Sequence, residues 1–191
     1  LQQMLLPQLP DCQGSSACST VGGVGIMNNS LFLALEGQKQ ILIAAVQLAD
    51  SSPVGAQVLL AKQLQGLGNG ALVTAVTADP VLWALFVAAN VAGEPSVINK
   101  INATTLDPYG VATMRTRGGY PEIVHNMEQD TLARRMYVLS GIGNQPLIIT
   151  LLLYSVITID PPLADVQGGT EILVSGEGLA NLGFTECQFG A

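Results

Sequence analysis

Two stretches of this sequence, DPVLWALFVAAN (Asp79–Asn90) and DTLARRMYVLSG (Asp130–Gly141), follow the same pattern. In each, an aspartate is followed six, seven and eight residues later by an apolar residue, an aromatic residue and a valine. The aromatic residues are Phe86 and Tyr137. Because the two stretches lie 51 residues apart, the pattern indicates an internal repeat of the chain.

The repeat extends on both sides of these stretches. ALVTAVTAD (Ala71–Asp79) aligns with EIVHNMEQD (Glu122–Asp130), and SVINKI (Ser96–Ile101) aligns with LIITLL (Leu147–Leu152). Upstream, a third copy with a slightly longer period begins with LFLAL (Leu31–Leu35), which matches the segment around Phe86, and continues with ILIAAVQL. The repeating unit is therefore about 50 residues long, within the range known for blade-type repeats.

Each unit is predicted to contain four short strands. In the most complete copy the predicted strands are Ala71–Ala78, Leu85–Ala89, Ser96–Asn102 and Gly110–Arg117. Turn residues such as DP, AGEP and LDPYG separate them. A four-stranded sheet with two apolar faces becomes dry only when its neighbours stack upon it, so fixed-period repetition of such sheets is typical of a β-propeller.

A helical protein is the alternative, since LLAKQLQGL (residues 59–67) and VLWALFVAANV (residues 81–91) also fit a helical wheel. The repeated segments are rich in β-branched and aromatic residues, and glycines are spaced between them. Prolines also interrupt the chain at Pro53, Pro80, Pro95, Pro108 and Pro121. These observations favour strands over helices.

The repeated unit resembles the blades of YVTN and NHL propellers, in which an apolar, aromatic and valine strand follows an aspartate-containing turn. The resemblance covers about residues 20–155 and implies propeller-type blades. Because propellers contain about four to eight blades, two and a half to three copies predict a segment of a larger polypeptide.

The pattern changes after residue 157. The elements IDPP (Ile159–Pro162), GGT (Gly168–Thr170), EILVSG (Glu171–Gly176), GEGL (Gly176–Leu179) and CQFG (Cys187–Gly190) resemble the opening of a TIG/IPT domain, an immunoglobulin-like fold of plexins and other cell-surface proteins. Such a sandwich takes roughly 100 residues, so only its first strands are expected here.

The predicted organisation is all-β: about three four-stranded propeller-type blades, then the first strands of an immunoglobulin-like β-sandwich. Residues 1–19 are expected to be irregular or the end of a preceding blade. Residues 20–157 form the blades and residues 158–191 the truncated TIG/IPT domain.

The surface is expected to carry few charges. Of the 191 residues, 49% are hydrophobic and 11% are charged, and the net charge is -7. The charged fraction is less than half of the usual quarter, so the surface must be covered by uncharged side chains, sugars or other subunits. A nucleic-acid partner is excluded because no basic cluster is present. The run LIITLLLYSVITI (Leu147–Ile159) is too short to cross a bilayer as a helix and is predicted to be strand.

An extracellular location is favoured by the low charge together with two further features. Glycosylation acceptor patterns occur at Asn28 (NNS) and Asn102 (NAT). Cys12 and Cys18 are spaced so that they could close a small disulfide loop, with free structural thiols as the alternative. Cys187 would find its partner downstream if it has one.

No catalytic, cofactor or metal site is predicted. The single histidine, His125, takes the place of Thr74 in the repeat and lacks the companions of a metal site. Glu122, Glu128 and Asp130 lie near it, but a repeated aspartate at a strand end is typical of a turn cap.

Two glycine-rich segments, GGVG (Gly22–Gly25) and GLGNG (Gly66–Gly70), lack the remaining residues of phosphate-binding loops and are interpreted as turns between blades. The locally basic TRGGY segment (Thr116–Tyr120, with Arg115 beside it) is interpreted as a solvated loop.

The sequence therefore predicts a non-enzymatic extracellular structural or adhesion protein. It would be part of a larger multidomain glycoprotein and act through contacts with protein partners, or with copies of itself, in a surface assembly or filament; a fibre of the kind that decorates cilia would suit the composition. The alternative is an ancillary part of a secreted carbohydrate-active enzyme or lectin, with glycans as partners. Aromatic residues are only 5% of the chain, so platforms for sugar stacking are scarce.

Overall fold

The computed structural model describes residues 20–36, 41–47, 57–64, 70–114, 122–142, 145–163, 165 and 167–177. Cys12, Cys18 and Cys187 lie outside these residues, and so do the predicted Cys12–Cys18 disulfide, the GLGN part of the second glycine-rich segment and the segment from Arg115 to Tyr120. Within the described ranges the protein is all-β and contains no helix. None of those residues therefore belongs to an apolar helix that could span a bilayer.

Four antiparallel sheets follow one another along the chain. The first sheet contains β1 (Thr20–Met27), β2 (Ser30–Glu36), β3 (Ile41–Gln47) and β4 (Gln57–Leu64). The second sheet contains β5 (Leu72–Asp79), β6 (Ala84–Asn90), β7 (Val97–Asn102) and β8 (Pro108–Thr113). The third sheet contains β9 (Ile123–Asp130), β10 (Arg135–Ile142) and β11 (Gln145–Leu152). The terminal hairpin contains β12 (Ser155–Asp160) and β13 (Leu173–Glu177).

The predicted repeat is present in the turns that join the first two strands of the second and third sheets. Asp79 Oδ1 accepts the backbone N–H groups of Val81 and Leu82, and Asp130 Oδ1 accepts the equivalent pair of N–H groups one repeat later. The last turn residue has a positive φ in both, 52° at Trp83 and 52° at Arg134. The aspartates are thus turn caps, as the sequence predicted.

The first strand of each sheet contains one β-bulge at an equivalent position. Gly22 in β1, Thr74 in β5 and His125 in β9 are the residues left without a pairing partner. A bulge adds one residue and increases the local twist of the strand. His125 therefore occupies the place of Thr74, as the alignment of the two copies predicted.

The three sheets stack face to face. We call the contact between the first and second sheets the first interface; Phe32 and Ile43 pack there against Leu85 and Val87 of the second sheet. The second interface lies between the second and third sheets and buries Phe86 with its neighbours against the third sheet. Alternate residues of β6 thus face opposite neighbours, which explains why its apolar run does not alternate with polar residues.

The stacking brings the first strands of successive sheets together. β1 and β5 make the most extensive contact at the first interface, and β5 and β9 make the most extensive contact at the second. Gly22–Gly25, predicted to be a turn, instead lies inside β1 and faces β5. A Cβ on Gly23 would lie 2.4 Å from Cγ2 of Val76, so close approach of the two strands, rather than a turn, requires glycine there.

The predicted strand limits differ from the structure most clearly in two places. The predicted strand Gly110–Arg117 instead runs from Pro108 to Thr113. Proline is tolerated at the first position of an edge strand because no backbone N–H is needed for pairing there. The long apolar run that begins at Leu147 is two strands, β11 and β12, because Leu153 between them turns inward and pairs its backbone with Arg134.

The alignment of β7 with β11 is shifted by one residue from the prediction. Ile98 pairs with Ala88, whereas Ile148 pairs with Leu139, the equivalent of Ala88. The connection from β10 to β11 is therefore one residue shorter than the connection from β6 to β7. Since side chains alternate along a strand, this shift decides which isoleucine faces away from the second sheet.

The terminal hairpin spans the position at which the sequence placed a domain boundary. β12 pairs with β13, and Gly168 and Gly169 in the connection have φ values of 84° and 81°. Glycine adopts this conformation without steric cost. In β13, Val174 is half-buried and Leu173 is exposed.

Candidate functional site

The residues that sequence analysis considered for catalysis do not form a site. Glu122 is buried at the start of β9 and accepts a hydrogen bond from Ser140 Oγ (3.0 Å). Glu128 is exposed on the opposite face, and Asp130 caps the turn at the far end of β9. His125 lies over Gly141, where a Cβ would be 3.3 Å from its Nε2. Within the described ranges no three His, Cys, Asp or Glu side chains are grouped as metal ligands.

A small open cleft lies where the end of β11 meets the second sheet. It measures about 200 Å³ and is lined by Leu82, Phe86, Lys100 and residues 152–155. Lys100 is the charged group in this lining, and its Nζ lies 4.8 Å from the centre of the Tyr109 ring. Typical ligand pockets measure roughly 300–1,000 Å³, so this cleft is too small for most ligands.

The two predicted glycosylation sites lie in turns. Asn28 is exposed between β1 and β2, with a φ of 41°. Asn102 ends β7, and its Oδ1 accepts the N–H groups of Thr104 (2.8 Å) and Thr105 (3.1 Å). The hydroxyl of Thr104 also accepts a hydrogen bond from Trp83 Nε1 at 2.7 Å. Trp83 lies in the turn before β6.

A buried ion pair joins the second and third sheets. Arg134 Nη1 donates a hydrogen bond to Asp79 Oδ1 (3.0 Å), and its Nη2 donates one to the carbonyl oxygen of Leu153 (3.2 Å). Nη2 also lies 3.0 Å from Asp79 Oδ2. The Asp79 side chain is completely buried and that of Arg134 is 7% exposed. The pair fixes the turn of the third sheet against the turn of the second.

The first interface has a weaker, exposed charge contact. Lys62 Nζ donates a hydrogen bond to Asp107 Oδ1 at 2.6 Å, and both side chains are largely accessible to water. This hydrogen bond holds the pKa of Asp107 below its ordinary value. An exposed pair of this kind contributes little to stability, so apolar packing holds the first interface together.

The feature that stands out is an exposed apolar face on the third sheet. We call it the open face; its apolar residues are Ile123, Tyr137, Leu139 and Ile148, and it lies on the side of the sheet away from the second interface. The exposed polar residues Asn126, Glu128 and Thr150 lie opposite Leu139 and Tyr137 on the same face. An apolar patch on a sheet is commonly a contact surface for another protein or sheet. The sequence did not indicate these residues as a site.

The repeat shows what the open face corresponds to. Tyr137, Leu139 and Ile148 are the equivalents of Phe86, Ala88 and Ile98, which the third sheet covers at the second interface. Their exposures are 36%, 41% and 74%, against 6%, 0% and 3% for the covered residues. The open face is therefore a copy of a stacking face, and no sheet formed by the described residues lies upon it.

Signals for this site are present in the sequence. The 51-residue offset relates Phe86 to Tyr137, and the strand period of two places Leu139 on the same face. The missing information was the register of β11, which no local pattern specifies. Arg134 was also missed as a charge partner, because it lies 55 residues from Asp79 and is absent from the preceding copy.

Comparison with known proteins gives no match: neither a protein-family model nor a curated protein sequence matches this chain.

Proposed function

We propose that this chain is a non-enzymatic structural or adhesion segment of a larger extracellular glycoprotein. It acts through protein–protein contacts in a surface assembly or filament, and the open face is its contact surface. The observation that carries the proposal is the exposure of Tyr137, Leu139 and Ile148 at positions whose equivalents are buried between sheets. An apolar surface with a built-in register favours one binding geometry over non-specific adhesion.

The rest of the surface supports a contact function over catalysis. The chain has only 11% charged residues. The cleft beside Lys100 has no carboxylate in its lining. Glu122 and Asp130, the acidic residues at the two ends of β9, are both engaged within the fold.

We also propose that the three stacked sheets are propeller-type blades and that the terminal hairpin is the first part of a TIG/IPT domain. The close contact of first strands at both interfaces supports the first assignment, because the innermost strands of blades meet around a propeller axis. The pairing of β12 with β13, around a glycine turn, supports the second.

The contact function is tested by the association of the purified chain. In the absence of its natural partner, the open face is expected to drive reversible self-association, because exposed apolar surface is removed from water. Light scattering after size-exclusion chromatography should show an average mass that rises with protein concentration. Leu139→Lys places a charge in the centre of the open face and is expected to leave the protein monomeric.

Leu132→Lys is the matched control. Leu132 is 65% exposed in the turn between β9 and β10 and lies outside the open face. Self-association that is equally reduced by both substitutions, or unaffected by Leu139→Lys, would contradict the assignment of the open face as the contact surface.

The extracellular part of the proposal is tested separately. After secretion from a eukaryotic cell line, peptide mass spectrometry should find a glycan on Asn28, whose side chain is exposed in a turn. The same measurement covers Asn102. Finding both asparagines unmodified would contradict an extracellular glycoprotein.

A further inference from the structure

The two interfaces of this protein are built in the same direction. At each, the Phe32- or Phe86-bearing face of one sheet packs on the opposite face of the next sheet along the chain. That receiving face consists of Leu85 and Val87 in the second sheet, and of Met136 and Val138 in the third. The open face bears Tyr137, the equivalent of Phe86. It is therefore the face of the third sheet that would pack on a following sheet, as the Phe32- and Phe86-bearing faces do.

The aspartates that cap the turns provide an observation that is independent of the apolar faces. Asp79 and Asp130 cap equivalent turns through Oδ1 in the same way. Asp79 also pairs with Arg134 of the next sheet. Asp130 is half-buried beside the open face, and in the described part of the chain its carboxylate forms no ion pair. Asp130 is thus the equivalent of the acidic partner in the ion pair between the second and third sheets, and the residue directly opposite it within its own sheet is Arg135.

We propose that the open face binds a further sheet of the same repeat, and that an arginine in the first turn of that sheet pairs with Asp130. The proposal rests on the contact function proposed above and specifies its partner. The bound sheet would present an aliphatic face of the Met136 and Val138 type to Tyr137 and Leu139. Its arginine would approach Asp130 as Arg134 approaches Asp79.

A head-to-tail second copy of this chain is less suited to the open face. It would have to present the free face of its first sheet, but that face is already buried in the protein, with Leu42 and Val46 0% exposed. In the first sheet, moreover, Met27 occupies the position of Asp79, and the turn that follows contains no arginine. An added repeat with an arginine in this turn satisfies both the apolar and the ionic requirement.

Tandem duplication of residues 104–153 inside the full chain tests the proposal. The inserted unit gives the third sheet a copy of β8 and then adds a fourth sheet whose first turn carries a copy of Arg134. Tyr137→Phe in the inserted copy makes the original Tyr137 identifiable by peptide mass spectrometry. Its rate of nitration by tetranitromethane is then measured in the parent and in the duplicated chain.

Tyr137 nitration is expected to slow about sixfold in the duplicated chain, in proportion to the 36% exposure of Tyr137 and the 6% exposure of its covered equivalent Phe86. Asp130→Asn keeps an oxygen for the turn cap, so it should leave the urea midpoint of the parent nearly unchanged. In the duplicated chain Asp130→Asn should lower the urea midpoint. Combining it with Arg134→Met in the inserted copy should not lower the midpoint further. Val138→Asp in the inserted copy, which charges its receiving face, should restore nitration of Tyr137.

Three outcomes would overturn the proposal. One is unchanged Tyr137 nitration in the duplicated chain, whether the inserted unit folds elsewhere or does not fold. Another is an Asp130→Asn effect that is the same in both chains. The third is protection of Tyr137 in the parent at high concentration but not in the duplicated chain, which would assign the open face to a second copy. In each case concentration-dependent association abolished by Leu139→Lys would still support the contact function.

Discussion

A single side chain, Arg134, connects the two best-defined repeats of this protein. It is almost completely buried and adopts a positive φ. It donates hydrogen bonds both to Asp79 of the second sheet and to the carbonyl oxygen of Leu153, the residue that follows β11. Removing one partner of a buried ion pair leaves the other charge without compensation, which typically costs about 3–5 kcal/mol. The pair therefore fixes the relative position of two turns and makes their interface sensitive to the loss of either charge.

Asp79→Asn is expected to lower the free energy of unfolding by about 3 kcal/mol, because Arg134 then remains buried without a counter-charge. The amide oxygen can still cap the turn. Asp130→Asn is the matched control: it changes the same cap one repeat later, where the carboxylate forms no ion pair with a described residue, and is expected to cost under about 1 kcal/mol. Urea unfolding followed by circular dichroism measures both.

Arg134→Met and the double variant Asp79→Asn/Arg134→Met complete a double-mutant cycle. Because methionine removes the uncompensated charge, the double variant should be less destabilised than the sum of the two single variants. Equal destabilisation by Asp79→Asn and Asp130→Asn would show that the ion pair does not stabilise the second interface.

Much of the chemistry of individual residues could be predicted from the repeat. Asp79 and Asp130 were identified as turn caps, and His125 was placed at the position of Thr74, because identical local structure requires the same residue classes at the same offset. The Asp79–Arg134 pair could not be predicted. Its partners come from different repeats, and sequence spacing carries no information on how two sheets are stacked.

Among the strands, β1 shows how close stacking determines sequence. Gly22 and Gly23 face Val73 and Val76 of β5 so closely that a Cβ would overlap with their side chains. The same glycines suggested a turn when only the sequence was considered, since glycine is common in turns. The strand assignment depends on β5, which lies about 50 residues away, and local propensity does not report it.

Gly23→Ala is expected to destabilise the protein by about 1–3 kcal/mol, the usual cost of overpacking a core. The added Cβ would lie 2.4 Å from Val76 Cγ2. Val76→Ala removes this atom, so the cost of Gly23→Ala should be smaller in that background. Thermal unfolding of the parent, of Gly23→Ala, of Val76→Ala and of the double variant gives the coupling energy between the two positions.

Gly25→Ala is the control for this prediction, because its Cβ would meet the nearest atom at 3.3 Å rather than 2.4 Å. It should cost less than Gly23→Ala. Two results would show that β1 and β5 are not in the close contact described. One is a Gly23→Ala substitution that leaves stability unchanged, and the other is the same loss of stability with and without Val76→Ala.

The register of β11 marks the limit of what strand patterns could predict. The sequence aligned this strand to β7 at the same offset as the other strands, but the connection before it is one residue shorter. Since a one-residue slip exchanges the two faces of a strand, the prediction placed Ile149, rather than Ile148, on the open face. Gly143 and Asn144 in this connection, with Pro146 just after it, indicate a turn, but these residue types do not specify how many residues the turn contains.

The protein as a whole is a directional stack. Each sheet covers the next in the same orientation, and the stack ends on a face of Tyr137, Leu139 and Ile148 that matches buried faces inside it. The all-β class and the first two four-stranded sheets were predicted from period and composition, because strands that are apolar on both faces must be covered on both. In the third sheet the described residues form three strands instead of the predicted four. The order and direction of stacking had to come from the structure.

This directional stacking is tested most directly by a disulfide between β1 and β5. An added Cβ on Gly25 would lie 3.6 Å from Cβ of Ala78, within the 3.5–4.5 Å that a disulfide requires. Oxidation of the native Gly25→Cys/Ala78→Cys variant should form this bond, identified by peptide mass spectrometry. The Gly25→Cys/Ala75→Cys control should not form it, since Ala75 faces the third sheet. Absence of the 25–78 bond in the native protein, or an equal yield of the 25–75 bond, would contradict the stacking of the first sheet on the second.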